Sequence, residues 1–150
     1  MKPQSINVLG YTGNNSQFVV KTLNTDLRIN QNAQAAVPGI ASPYEYILAG
    51  FAGCINALGQ LVAAELGINL KSLQIEITGS LNTDVVSGIS GKVRPGFNSI
   101  EIVLKPAAAA PLETLQRWMK EVRFRSPLYD NLVNNTPVKL NLFKEYTAVN

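Results

Sequence analysis

Cys54 is the only cysteine in this 150-residue chain, and histidine is absent. Without imidazole, the Ser-His-Asp and Cys-His pairings that activate a nucleophile at neutral pH cannot be built. A zinc site of the ordinary Cys/His type needs three or four ligands and has at most one here. No metal site and no cofactor site is expected. The glycine clusters Gly10 with Gly13 and Gly88 with Gly91 match no phosphate-binding spacing and read as turns. Covalent chemistry, if there is any, falls to Cys54. Such a thiol must be accessible and held as a thiolate. The other reading of a lone cysteine is a small buried hydrophobe.

The element that must position Cys54 is a long helix. Ser42-Pro43-Tyr44-Glu45 has an N-cap, a proline at the first helical position and a glutamate three residues after the cap, which together make a capping box. The helix is expected to run to Leu66 and stop at Gly67, which tolerates left-handed backbone. Ile47, Gly50, Phe51, Leu58 and Leu61 lie at helical spacing from Cys54, so the thiol is expected on an apolar stripe. Gly50 and Gly53 each cost the helix about 1 kcal/mol relative to alanine. Two of them beside the thiol suggest close approach of another backbone or a ligand.

The remaining elements form a framework around that helix. Three short strands are expected at 6–11, 17–23 and 26–29, with turns at 12–16 and at Asn24-Thr25. The stretch 31–41 reads as a loop. Alternation at Leu73, Ile75 and Ile77, at Ile100, Ile102 and Leu104, and at Val138, Leu140 and Leu142 predicts three half-buried strands. Residues 82–96 read as a connecting loop. A second helix is expected from about Pro111 to Phe124, supported by the four-residue pairs Glu113/Arg117 and Glu121/Arg125. A short helix capped by Ser126-Pro127 should follow. Trp118 and Met119 are expected to pack the second helix on the sheet. The order β-β-β-α-β-β-α-α-β, with helices segregated from antiparallel strands, is an α+β architecture in a single domain, 1–150.

Composition excludes several function classes. The net charge is +3, with thirteen basic residues scattered along the chain. No basic run with interleaved aromatics supports nucleic-acid binding. Arg117, Lys120, Arg123 and Arg125 read as a solvated helix face. The uncharged stretch 46–64 is long enough to raise a membrane span but carries Asn56 and Gln60, and reads as a core helix. The N-terminus lacks the apolar run of a secretory signal. With a lone thiol, a reducing cytoplasm is expected.

The run from Ser42 to Cys54 resembles the cysteine-bearing helix of the OsmC family, which includes osmotically inducible and organic hydroperoxide resistance proteins. The resemblance continues through Leu73 to Gly79, through Gly96-Phe97-Asn98-Ser99-Ile100, through 125–132, and ends in Pro137-Val138-Lys139-Leu140. It implies an OsmC-like fold, with antiparallel sheets and a long central helix, assembled as an intertwined homodimer with its sites at the subunit interface. In peroxidase members the helix cysteine attacks an organic hydroperoxide and becomes a sulfenic acid. A second cysteine condenses with it, and a dithiol reopens the bond. An arginine and a glutamate assist the first thiol.

Carried onto this chain, the resemblance makes Cys54 the attacking thiol. The second cysteine of the family precedes a proline, where this chain has Ser126-Pro127, and serine cannot form that disulfide. The family glutamate directly follows the helix proline, where this chain has Tyr44. Glu45 is one residue later and about 180° around a regular helix from Cys54. Arg28 is the only arginine before the long helix, with Lys21 as a weaker cation. Two functions follow. One is a one-cysteine thiol peroxidase using Cys54, Glu45 and Arg28, which reduces organic hydroperoxides with an external thiol reductant. The other is a non-catalytic dimer that binds a small apolar ligand at the subunit interface.

Overall fold

The computed structural model describes residues 3–12, 17–32, 36–89 and 92–144. Three short strands come first: β1 (Leu9–Thr12), β2 (Gln17–Lys21) and β3 (Asp26–Asn30). They pair antiparallel in the order β1-β2-β3, with Val20 opposite Gly10 on one side and Leu27 on the other. The expected turn at 12–16 lies largely outside the described residues. In the 31–41 loop, an isolated bridge joins Val37 to Ile40 around Gly39, whose φ of 81° is left-handed.

Helix α1 (Pro43–Glu65) follows, with the capping box complete. Ser42 Oγ accepts from the Glu45 N–H at 3.1 Å, and Glu45 Oε2 accepts from the Ser42 N–H at 2.6 Å. Its C-terminal end closes where Gly67 takes a φ of 69°, the left-handed backbone that glycine adopts without Cβ strain. The chain then enters a long antiparallel hairpin, β4 (Leu70–Leu81) with β5 (Phe97–Ala108). Ile75 faces Leu104 and Ile77 faces Ile102. From Leu73 in β4 and Ile100 in β5 onward, half-buried and exposed residues alternate, as period-two patterning requires. Between them, Asn82 caps a single turn, α2 (Thr83–Val86), inside the stretch expected to be loop.

Two helices complete the described chain, α3 (Leu112–Arg125) and α4 (Pro127–Val133). The core lies where α1, α3 and the β4–β5 hairpin meet: Phe51, Ile55, Val62, Ala63, Ile68, Trp118 and Val122. Trp118 is fully buried and donates from Nε1 to the Gly59 carbonyl at 2.9 Å. It thus ties α3 to α1 as well as to the hairpin. Met119, expected in the same packing, is 46% exposed. Arg125 also departs from expectation, because it binds Glu65 of α1 at 2.7 Å. Helix α1 has the length and hydropathy of a membrane span, but it carries the core on its Phe51/Ile55/Val62 face.

The mixed α+β architecture with antiparallel sheets and a long central helix is the one the element order predicts. The final strand is the difference. Residues 135–144 form no strand, and Val138, Leu140 and Leu142 are 85%, 97% and 97% exposed. Among the described residues their alternation has no paired edge to lie against.

Candidate functional site around Cys54

Cys54 is the twelfth of the 23 residues of α1, so neither end of its own helix acts on the thiol; helix-end effects fade within a turn. The side chain is partly buried. It does not lie on the core stripe. Phe51, Ile55, Gly59 and Val62 are buried, whereas Ile47 and Leu61 are 52% and 49% exposed and Gly50 is exposed. The apolar surface of α1 is wider than one chain covers, and Cys54 sits at the margin between its packed and open parts.

The glycines beside the thiol do not mark a close approach within the chain. A Cβ on Gly53 would meet nothing within 4 Å, and one on Gly50 would only touch Leu128 Cδ1 at 4.0 Å. The tight glycine is Gly59, where a Cβ would lie 3.1 Å from both Leu73 Cδ2 and Trp118 Cζ2.

The polar neighbour of the thiol is Ser126. Cys54 Sγ and Ser126 Oγ are 3.5 Å apart although the residues are 72 positions apart in sequence. Ser126 is 2% exposed and caps α4, its Oγ accepting from the Tyr129 N–H at 3.2 Å. The α3–α4 corner thus delivers a buried hydroxyl to the sulfur. Tyr129, which sequence reasoning missed, also packs its ring 6.3 Å from that of Phe51 and lies under the Arg123 guanidinium at 5.9 Å. The signal for it was local: Tyr129 is the third residue after the cap, where the bonded N–H of an N-cap belongs. Beside Ser126 opens a groove of about 320 Å³ lined by Ile55, Ile102, Leu104, Met119, Val122 and Tyr129, with Arg123 at its edge.

The other two residues expected at the site lie elsewhere in the single chain. Glu45 is held in the capping box, and the Ser42 backbone N–H, then its side chain, keeps this carboxyl below its ordinary range. Nine residues of helix separate it from Cys54, about 13 Å along the axis and half a turn round. Arg28 is exposed on β3, donates to Gln17 Oε1 at 2.9 Å, and accepts through its carbonyl from the Tyr46 hydroxyl at 2.9 Å. No hydrogen bond joins either side chain to Cys54 among the described residues. These residues also contain no cluster of three or more Cys, Asp or Glu that could hold a metal.

Comparison with known proteins bears on the fold that carries these residues. The OsmC-like protein family matches residues 37–141. The OsmC-like protein from Mycoplasma pneumoniae superposes with a TM-score of 0.76 at 17% identity, covering 89% of this chain and 91% of that one. An organic hydroperoxide resistance protein from Elizabethkingia anophelis gives 0.65 at 16% identity, over 89% and 91%. One from Legionella pneumophila gives 0.61 at 16%, over 90% and 93%. No curated protein matches in sequence. At these identities the structural likenesses speak to the fold, while the family match spans more than half of the chain, from the loop before α1 past the end of α4. The chain belongs to the OsmC family.

Proposed function

We propose that the protein is a one-cysteine thiol peroxidase that reduces organic hydroperoxides through Cys54. The observation that carries this reading is the contact between a partly buried, unpaired thiol and the buried Ser126 hydroxyl. Ser126 stands where the family's second cysteine would be. The thiolate sulfur attacks the distal peroxide oxygen, the O–O bond breaks, and the alkoxide leaves as an alcohol after taking a proton. Cys54 becomes a sulfenic acid. Ser126 cannot condense with it, so an external thiol forms a mixed disulfide and releases water. A second thiol then restores Cys54 and departs in a disulfide. The balance is one hydroperoxide and two thiols giving one alcohol, one water and one disulfide. The reducing cytoplasm, rich in small thiols, is the compartment proposed for this chemistry.

The working unit proposed is a homodimer. The open apolar stripe of α1 and the exposed alternating segment around Val138, Leu140 and Leu142 support a second copy of the chain, since large exposed apolar surfaces mark association sites. In this reading Arg28 supplies the cation for the thiolate and peroxide, and Glu45 orients it. Both reach Cys54 through the assembly.

The test is consumption of an organic hydroperoxide with excess small thiol, comparing wild type with Cys54→Ser. Turnover lost in the variant supports the peroxidase. Absence of turnover in wild type, with Cys54 still a free thiol by mass, retires it. The second reading, a non-catalytic dimer binding a small apolar ligand, is favoured by the apolar groove beside Ser126 and by the engagement of Glu45 and Arg28 elsewhere. Saturable binding of an apolar fluorophore, without turnover, is its expected outcome.

A further inference from the structure

We infer that Ser126 is a positioning residue for Cys54, its hydroxyl donating to the sulfur whenever that sulfur carries negative charge. This deepens the reading of Cys54 as a redox thiol and rests on it for its functional meaning. The geometry stands apart from that reading.

Three observations combine. Ser126 Oγ lies 3.5 Å from Cys54 Sγ, within reach of a hydrogen bond to sulfur. The same oxygen already accepts from the Tyr129 N–H at 3.2 Å, which commits one of its lone pairs and fixes where the side chain points. Ser126 is 2% exposed, so water does not compete for the hydroxyl proton. A thiolate has no proton to give, so once Cys54 ionises the serine must be the donor. Donation to a charged acceptor is stronger than to a neutral one, which favours the ionised sulfur and, after oxidation, a sulfenate oxygen in the same place.

Several charged groups on the surrounding elements are held by other partners. Arg123 lies over the Tyr129 ring, Arg125 is bound to Glu65, and Asp130 accepts from Asn134 Nδ2 at 2.8 Å. Glu45 is in the capping box, and on the hairpin Glu76 is bound to Lys105. Ser126 is the group with a hydrogen-bonding atom at the sulfur among the described residues.

The test is the rate of Cys54 alkylation by iodoacetamide at one fixed pH, which needs no peroxide and reads the thiol itself. Ser126→Ala should slow alkylation about tenfold. Removing the hydroxyl also loosens the α4 cap, so Asn134→Ala, which weakens α4 but keeps the hydroxyl, should leave the rate unchanged. If the alanine variant does not fold, Ser126→Thr and Ser126→Val take its place. They are matched in size, and both suit the extended backbone at this position, with φ −79° and ψ 114°. The threonine should keep the wild-type rate and the valine should slow it. An unchanged rate in the hydroxyl-free variants, or an equal slowing in Asn134→Ala, overturns the inference. A slowing without hydroperoxide turnover in wild type upholds it and retires the peroxidase reading alone.

Discussion

The chemistry of this chain is concentrated in one sulfur and one hydroxyl, and the residues around them predict what substitution will do. Ser126→Cys restores a thiol where Ser126 Oγ now lies 3.5 Å from Cys54 Sγ. Mild oxidation should then give an intramolecular disulfide, seen as a loss of two free thiols by mass, and a dithiol should reopen it. Persistence of both thiols under peroxide would sink the assignment of Ser126 to the second-cysteine position. Glu45 makes a separate prediction. Its carboxyl is held below the ordinary value by the Ser42 N–H, so its contribution to stability is complete above about pH 4.3. That contribution is lost as pH falls through the lower, folded-state value. Glu65, lowered first by its hydrogen bond to Arg125, behaves the same way. Glu45→Gln should therefore flatten the fall in thermal midpoint between neutral pH and pH 3. An acid limb as steep as that of wild type would show that the capping carboxylate adds nothing to it.

Helix α1 carries both the core and the thiol, and its glycines separate the two duties. At Gly59 an added methyl gains about 1 kcal/mol of helix propensity. It would also lie 3.1 Å from Trp118 Cζ2 and from Leu73 Cδ2, and overpacking costs about 1–3 kcal/mol. Gly59→Ala should lower the thermal midpoint. At Gly53 the same methyl meets nothing within 4 Å, so only the propensity gain remains and Gly53→Ala should raise it. Thermal unfolding of the pair checks both signs, and destabilisation at Gly53 would refute the open face drawn for this part of α1. Trp118→Ala removes the buried indole and its bond to the Gly59 carbonyl, a loss of about 3–5 kcal/mol by the usual cost of such truncations.

Among the described residues a core is buried and apolar surface is left open, two parts of which are the Ile47/Leu61 side of α1 and the segment from Val138 to Phe143, each residue of which named here is about half exposed or more. The proposed second copy accounts for both. Sedimentation of the full chain should give twice the monomer mass of 16.2 kDa. Truncation after Asn134 should shift the population to monomer and reduce hydroperoxide turnover along with it. A full chain that sediments as a monomer at micromolar concentration would remove the homodimer from the proposal.

Local chemistry made much of this protein legible in advance. The capping box at Ser42, the left-handed stop at Gly67, the alternation of β4 and β5, and the short helix opened by Ser126-Pro127 all depend on a few neighbouring residues. The period-two pattern at 138–142 was equally clear, yet it names a preference for a strand and not the edge that would satisfy it. Arg125 looked like the partner of Glu121 because both share a helix, but the packing of α3 on α1 brought Glu65 closer to hand. Cys54 could be singled out by counting, and the Ser-Pro dipeptide by resemblance. That the sulfur meets the Ser126 hydroxyl, while Arg28 and Glu45 do not meet it within the chain, was decided by the fold. Contacts across 72 residues depend on how α1, α3 and α4 pack, and packing is a property of whole faces that no short stretch of sequence contains.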